Sequence, residues 1–228
     1  MIICPICKRP SLMLDAGGIT GKYICKNCNY HGNLIIEIID DYLKFRYFFT
    51  SKGNLILIGK NAENNELLIK KYTNKNEFVF HTKAPGSPFC VIKQDWKKID
   101  KKEINETARI CGVFSKEWKK GKKIIEVNYF LGKDIYKDKD MPIGTFGVKK
   151  IIGKIKVKSE IYLCKINSIA CILPYKKNLI AVIKNDKKGL KKEEAIKKIS
   201  EKLKKIKIKI TDYILSELPS EKIKIEWK

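Results

Sequence analysis

From residue 48 onward the chain is cut into short apolar runs by turn residues, and the period of those runs changes along the way. Leu55–Ile58 is four apolar residues closed by Gly59, which predicts a short buried strand. Residues 61–73 read as a helix. Asn61 is placed to cap it, Asn64, Asn65 and Glu66 follow in the first turn, and Leu67, Leu68 and Tyr72 make one apolar side. Residues 78–80 and 89–92 are apolar again, close enough in sequence to pair as a wide hairpin around the Pro/Gly-rich loop that His81 opens. Helical spacing returns at 102–114, with Ile104, Ala108, Cys111 and Val113 inward. Strands are expected at 124–129, 145–152 and 154–158, the first two separated by a polar loop at 132–142. In 154–158, Ile155 and Val157 alternate with Lys154, Lys156 and Lys158, the pattern of a strand with one wet, basic face.

The last third predicts strands around 162–173 and 179–183. A helix follows near 190–205, with Leu190, Ile196, Ile199, Leu203 and Ile206 in one stripe, and a short helix at 212–218 ends at Pro219. The dense apolar run at 34–49 shows no clean period and stays open between helix and strand. Strands mixed with helices, without regular strand–helix–strand alternation, predict an α+β fold built on a mixed or antiparallel sheet. The expected division is a small metal-bound module at 1–33, an α+β domain at 43–155, and an α+β extension at 156–228 packed on that domain.

The first module rests on Cys4-Pro-Ile-Cys7 and Cys25-Lys-Asn-Cys28, two tight pairs separated by 17 residues. Two residues between thiols let one turn aim both sulfurs at a single metal, and two such turns complete a tetrahedron. The interval is long enough for two strands to run out and back, with Gly17 and Gly18 near its middle. The expectation is a zinc ribbon holding one structural zinc ion, since four thiolates leave no open position for water. His31 is read as a surface residue. Cys90, Cys111, Cys164 and Cys171 are scattered in apolar surroundings, and paired knuckles with isolated thiols fit a reducing compartment.

Charge narrows the partner. The chain of 228 residues carries 49 Lys and Arg against 25 Asp and Glu, a formal net charge of +24. So basic a chain attracts polyanions: RNA, DNA or an anionic membrane surface, set against a plain compositional bias toward lysine. No apolar run approaches the ~18–20 residues that cross a bilayer, and the N-terminus does not read as a signal peptide. The expectation is therefore a cytoplasmic protein with no membrane partner. Lys119, Lys120, Lys122 and Lys123 bracket Gly121 beside Trp118 and Tyr129, a mixture of charge and ring surface suited to single strands, unless Trp118 is core. Residues 176–209 hold fourteen lysines against four acids, either a solvated face or a phosphate contact.

The stretch from Phe48 to about Ile152 resembles the NFACT RNA-binding domain, NFACT-R. The resemblance is carried by Ser51, Gly53, Gly59, Lys60, Asn61, Ala62, Asn65, Glu66, Leu67, Glu77, His81, Gly86 and Ser87, and further on by Glu106-Thr107-Ala108, Ser115, Trp118 and Gly144-Thr145-Phe146. Lys60 stands where the family often has Arg, and Glu77 where it has Asp. A lysine cannot make the bidentate phosphate fork of an arginine. Family members carry a large N-terminal domain and a long coiled coil that engage tRNA and the ribosome in ribosome-associated quality control. Neither has room here, so the expectation is a stand-alone form with an N-terminal zinc ribbon.

The resemblance implies RNA binding, with ribosomal RNA or tRNA as the target and the ribosome as a partner. The residues expected to carry it are Lys60, Asn61, Asn65, Lys70, Lys71, His81, Lys83, Gly86, Ser87, Lys93, Lys119, Lys120, Lys122 and Lys123, acting mainly on phosphates of structured RNA. His81 either meets a base or phosphate or pins its loop. Asn61 and Asn65 either cap a helix or touch ligand. Gly86-Ser87 either presents N–H groups to phosphate or is an ordinary turn. No catalytic residue is expected: four strand positions put Glu77 about 13 Å from His81, too far for a dyad. The alternatives are an RNA-modifying or RNA-processing enzyme using the His81 loop, and a DNA-binding or protein-adaptor zinc-ribbon protein.

Overall fold

A computed structural model describes residues 44–166, 169–210 and 222–228, with Tyr42, Leu215, residues 217–219 and the backbone of three short strands nearer the N-terminus. Those three are β1 (Leu12–Leu14), β2 (Tyr23–Cys25) and β3 (His31–Gly32). They pair antiparallel in that order, with Leu12 opposite Cys25 and Ile24 opposite His31. Cys4, Cys7 and Cys28, with the side chains of Cys25 and His31, lie outside the described residues, so the expected zinc site does too.

The chain then forms β4 (Arg46–Phe49), β5 (Leu55–Ile58), α1 (Ala62–Tyr72), β6 (Glu77–Thr82), β7 (Cys90–Asp95), α2 (Lys101–Val113), the four-residue α3 (Lys116–Lys119) and β8 (Ile124–Leu131). There follow β9 (Ile135–Tyr136), β10 (Gly147–Val148), β11 (Gly153–Lys158), β12 (Glu160–Ile166), β13 (Ile169–Leu173), β14 (Leu179–Leu190), α4 (Lys192–Lys205) and β15 (Ile223–Trp227). Six strands make one sheet in the order β11-β8-β6-β7-β5-β4, and four make another in the order β13-β12-β14-β15. Every neighbouring pair in both is antiparallel. The α+β, antiparallel architecture agrees with the sequence pattern, including the β6–β7 hairpin, in which Phe80 faces Cys90.

The central strands of the larger sheet lack apolar–polar alternation because both of their faces are covered. Ile56, Ile58, Phe80, Cys90 and Ile92 point to the face that α2 closes, and their cluster continues through Ala108 and Ile110 to Ile161, Leu163 and Ile183 of the second sheet. Leu55, Leu57, Val79, Val91 and Phe130 point the other way, onto Leu68 and Ile69 of α1. A capping box between Asp100 and Glu103 starts α2. β11 is an edge strand with exposed Lys154, Lys156 and Lys158, as its alternation predicts.

Several elements differ from the sequence expectation. The loop at 132–142 contains a 3-10 turn at Gly132–Asp134 and β9. The strand expected at 145–152 shrinks to β10, because its partner β9 is only two residues long. The run 162–173 is two strands folded back so that Cys164 faces Cys171. The strand at 179–183 extends to Leu190, and β15, an alternating Ile-Lys-Ile-Glu-Trp segment beyond Pro219, was not expected at all. The helix expected at 212–218 falls largely outside the described residues. Among the described residues no helix is long and apolar enough to cross a membrane.

Asn185 on β14 ties the two sheets together. Its buried Nδ2 donates toward the Lys122 carbonyl at 2.6 Å, the Trp118 carbonyl at 3.2 Å and Ser159 Oγ at 3.2 Å. Each buried acceptor left without a donor costs about 1–3 kcal/mol. Asn185→Ala is expected to lower the unfolding free energy in a urea titration by about 2–3 kcal/mol, with no loss of secondary structure in the folded baseline.

Candidate nucleic-acid interface

Three segments far apart in sequence meet at one end of the larger sheet. The first is the turn from β5 into α1. Gly59 sits so close to the helix that a Cβ there would fall 2.0 Å from Asn65 Oδ1. That room lets Asn65 Oδ1 accept the Phe89 N–H at 3.1 Å, while the Gly59 N–H reaches the Phe89 carbonyl at 3.1 Å. Asn61 caps α1 by accepting the Asn64 N–H at 2.8 Å. Both asparagines therefore hold the scaffold, and they do so at the mouth of the site.

The second segment is the loop between β6 and β7. Ser87 is buried and its Oγ accepts the Thr82 N–H at 3.0 Å, so it closes the turn. The Gly86 carbonyl accepts the Lys116 N–H at 3.0 Å, docking the loop on α3. His81 packs its ring on Phe89, centroids 4.7 Å apart, and Nδ1 lies 2.8 Å from the Thr82 carbonyl. A carbonyl only accepts, so Nδ1 carries the proton. Burial pushes the His81 pKa down, outweighing the carbonyls of Thr82 and Ser87, which favour the charged ring.

The third is Gly144-Thr145-Phe146. Gly144 has φ +76° and lies against the backbone of Ala62 at the start of α1, where a Cβ would come within 2.6 Å of the Ala62 carbonyl oxygen. Glu66 is the anchor. Its Oε2 accepts the Gly144 N–H at 2.7 Å and Lys137 Nζ at 2.8 Å, and its Oε1 lies 2.7 Å from Lys70 Nζ. Burial alone would raise the Glu66 pKa, but these cations and the N–H hold it at about 2. Phe146 then packs edge-on against Phe89 at 5.7 Å.

These segments enclose a cleft of about 660 Å³. Among the described residues five cations line it, Arg46, Lys60, Lys83, Lys116 and Lys119, and no carboxylate does. The neighbouring cleft of about 500 Å³ shares Lys83 but also contains Glu117 and Glu126. The Arg46 guanidinium lies over the Phe114 ring, 4.2 Å from its centroid, and 3.7 Å from Glu217. Burial and then the nearby Arg46 charge push the Lys60 pKa down, and Glu217 opposes them.

Of the residues singled out from sequence, Lys60, Asn61, Asn65, His81, Lys83, Gly86, Ser87 and Lys119 line this cleft. Lys70 and Lys71 do not, being in the last turn of α1, and Lys70 is paired with Glu66. Lys93 turns inward, donating to the Tyr72 carbonyl at 2.6 Å and to Glu77 at 2.8 Å. Lys122 pairs with Glu117, Lys123 donates to the Asn185 carbonyl at 2.9 Å, and exposed Lys120 is not part of the lining. Trp118 is 1% exposed and is core, and Tyr129 stacks on Phe80, so neither offers a ring to a strand at this cleft. Glu77 holds Asn74 and Lys93 and is absent from the lining. Sequence reasoning missed Arg46, Phe114 and Lys116. Arg46 carried a signal, as one of three arginines among 49 basic residues, but it lay in the ambiguous run 34–49.

A cationic cleft with aromatic groups in its wall, on a strongly basic antiparallel α+β domain, fits a nucleic-acid-binding module. Residues 44–150 match the family described as NFACT protein RNA binding domain. That match supports the family resemblance carried by Ser51 through Phe146. The Archaeal Rqc2 homolog aRqcH of Methanocaldococcus jannaschii is 41% identical over 80 residues, 35% of this chain and 12% of that protein. The Ribosome quality control complex subunit NEMF of Mus musculus is 28% identical over 76 residues, 33% of this chain and 7% of that protein. The matched segments thus span a small fraction of the length of these relatives. The C-terminal part of the fibronectin/fibrinogen-binding protein from Streptococcus suis superposes with a TM-score of 0.47 at 22% identity, over 50% of this chain and 45% of that one.

The chain has two histidines, so His81 is readily followed by NMR. Its pKa is lowered on folding. The unfolded chain therefore takes up this proton first as pH falls, and stability declines below the ordinary value near 6.5 toward the folded pKa. The His81 ring resonances are expected to titrate with a midpoint below 6.5. His81→Gln should remove that part of the acid-side loss of stability.

Proposed function

We propose that this is an RNA-binding protein of ribosome-associated quality control, which holds structured RNA, ribosomal or transfer RNA, chiefly by its phosphates. The observation that carries this reading is the meeting of the Gly59, His81 and Gly144 segments around a cleft that, among the described residues, is lined by five cations and no carboxylate. The family match over 44–150 and the ribosome quality control relatives support it independently. In this reading the protein works in the cytoplasm by binding, and no chemical step is assigned to it. Ammonium and guanidinium groups gathered at one cleft displace the ions condensed on a polynucleotide, which makes affinity steeply salt-dependent.

The N-terminal module, in the same proposal, is a zinc ribbon with one structural zinc on Cys4, Cys7, Cys25 and Cys28. One backbone fact bears on the fit: Cys25 ends β2 opposite Leu12, the first residue of β1. The four thiolates would close the coordination sphere and supply folding energy to a segment with little core.

Binding of tRNA, measured by filter retention across a salt series, is expected to give a log–log slope of about −3.5 to −4.5 if all five cations contact phosphate. Lys60→Ala and Lys116→Ala should each reduce the slope by about 0.7–0.9, whereas Lys71→Ala, at the far end of α1, should leave it unchanged. A flat salt response, or equal affinity for duplex DNA, would overturn the RNA-phosphate reading. Elemental analysis of the purified chain is expected to find one zinc per molecule. Cys7→Ser with Cys28→Ser should abolish it, and metal-free wild type would sink the ribbon.

A further inference from the structure

The cleft is larger and more apolar than phosphate binding requires. At about 660 Å³ it lies within the ~300–1,000 Å³ range of sites that enclose a whole small-molecule-sized group. Beside its cations it is lined by Pro85, Ile143 and Phe146. Ile143 is 62% exposed, the most exposed of the large apolar side chains among the described residues. It is not a loose tip. Lys137 Nζ donates to the Pro142 carbonyl at 2.7 Å and to the Thr145 carbonyl at 3.0 Å, and the Gly144 N–H is fixed on Glu66. Three hydrogen bonds flanking an isoleucine hold it in water next to a cationic cleft. A scattered exposed apolar residue needs no explanation, but one pinned at the rim of a charged cleft does.

We propose that the cleft receives one unpaired nucleotide, its base against Ile143 and Phe146 and its phosphate on Arg46 and Lys60, so that the RNA recognised carries an exposed loop, bulge or end. This rests on the RNA-binding reading and narrows it. An A-form duplex keeps its bases stacked and offers phosphates and 2′-hydroxyls, so it can meet the cations at the mouth of the cleft but brings no base face against Ile143 and Phe146. An unstacked nucleotide presents both an apolar face and a charge, the two kinds of group that the lining pairs. Base contact is not readout here: apolar groups accept any base face, so the preference is for an unpaired state and not for a sequence.

The test uses the full chain and fluorescence anisotropy at one salt concentration. Two RNAs are matched in phosphate number, a hairpin with a single-stranded loop and a blunt duplex. The hairpin is expected to bind at least about 5-fold more tightly, the lower end of what stacking one base is worth. Ile143→Ser should bring that ratio close to one while duplex affinity and salt slope stay as in wild type. Phe146→Ala should do the same, but it also removes a contact with Phe89, so the exposed Ile143 is the cleaner position. The His81 ring resonances, on the cleft wall, should shift with the hairpin and not with the duplex. Equal affinity for both RNAs, or a hairpin preference untouched by Ile143→Ser, overturns the nucleotide pocket and leaves phosphate binding standing. Wild type that binds neither RNA overturns both readings.

Discussion

The structure depends on covering both faces of one antiparallel sheet. Strands as apolar on each side as β5 and β7 would expose a large greasy surface if either face were open. α2 and the second sheet cover one side, and α1 covers the other. This requirement sets where the chain goes after each strand. α1 must return across β5, which places its first turn at the sheet end where β7 begins. The segment from Lys137 to Val148 must then close over α1, which it does through Glu66. The cleft is what remains where these returning segments meet.

Polar bonds at that junction convert crude coverage into a fixed shape. Gly59 matters because its missing side chain lets a helix carboxamide bond a neighbouring strand's N–H. Glu66 matters because one carboxylate satisfies two ammonium groups and a backbone N–H at once, and stays ionised because of them. Both are interior brackets rather than ligand contacts. Beside the polar groups that hold the scaffold, such as Asn61, Asn65 and Ser87, the cleft lining carries five cations and apolar side chains.

Much of this was legible from residue patterns, and the failures have physical causes. Caps, buried strands and the β6–β7 hairpin are local, so short windows reveal them. Lysine roles are not local. Lys93 and Lys83 look alike in sequence, but Lys93 meets Glu77 and the Tyr72 carbonyl inside the fold, while Lys83 stays at the surface between two clefts. The Lys119–Lys123 cluster reads as one patch, yet the turn at Gly121 divides it, with Lys119 at the cleft and Lys123 bonded to β14. Trp118 beside four lysines suggested a stacking ring, but the first turn of α3 drives it into the core. β15 escaped notice because its partner, β14, is more than thirty residues away in sequence, and only that pairing makes the segment a strand.

The charge arrangement carries an energetic consequence for the free protein. The cations that line the cleft repel one another, and low-dielectric surroundings strengthen that repulsion. Its mark is the lowered Lys60 pKa, in which burial and Arg46 act together. Relief comes from Glu126, 3.4 Å from Lys83, and from Glu217, in a segment beyond the residues that match the RNA-binding family, which lies 3.7 Å from Arg46. The C-terminal region thus does more than extend the core: it steadies the arginine that faces the cleft, while Phe114 supports the guanidinium from below. A polyanion entering the cleft would relieve the remaining repulsion. Binding and folding are then linked, because a ligand that favours the native state adds to its stability by mass action.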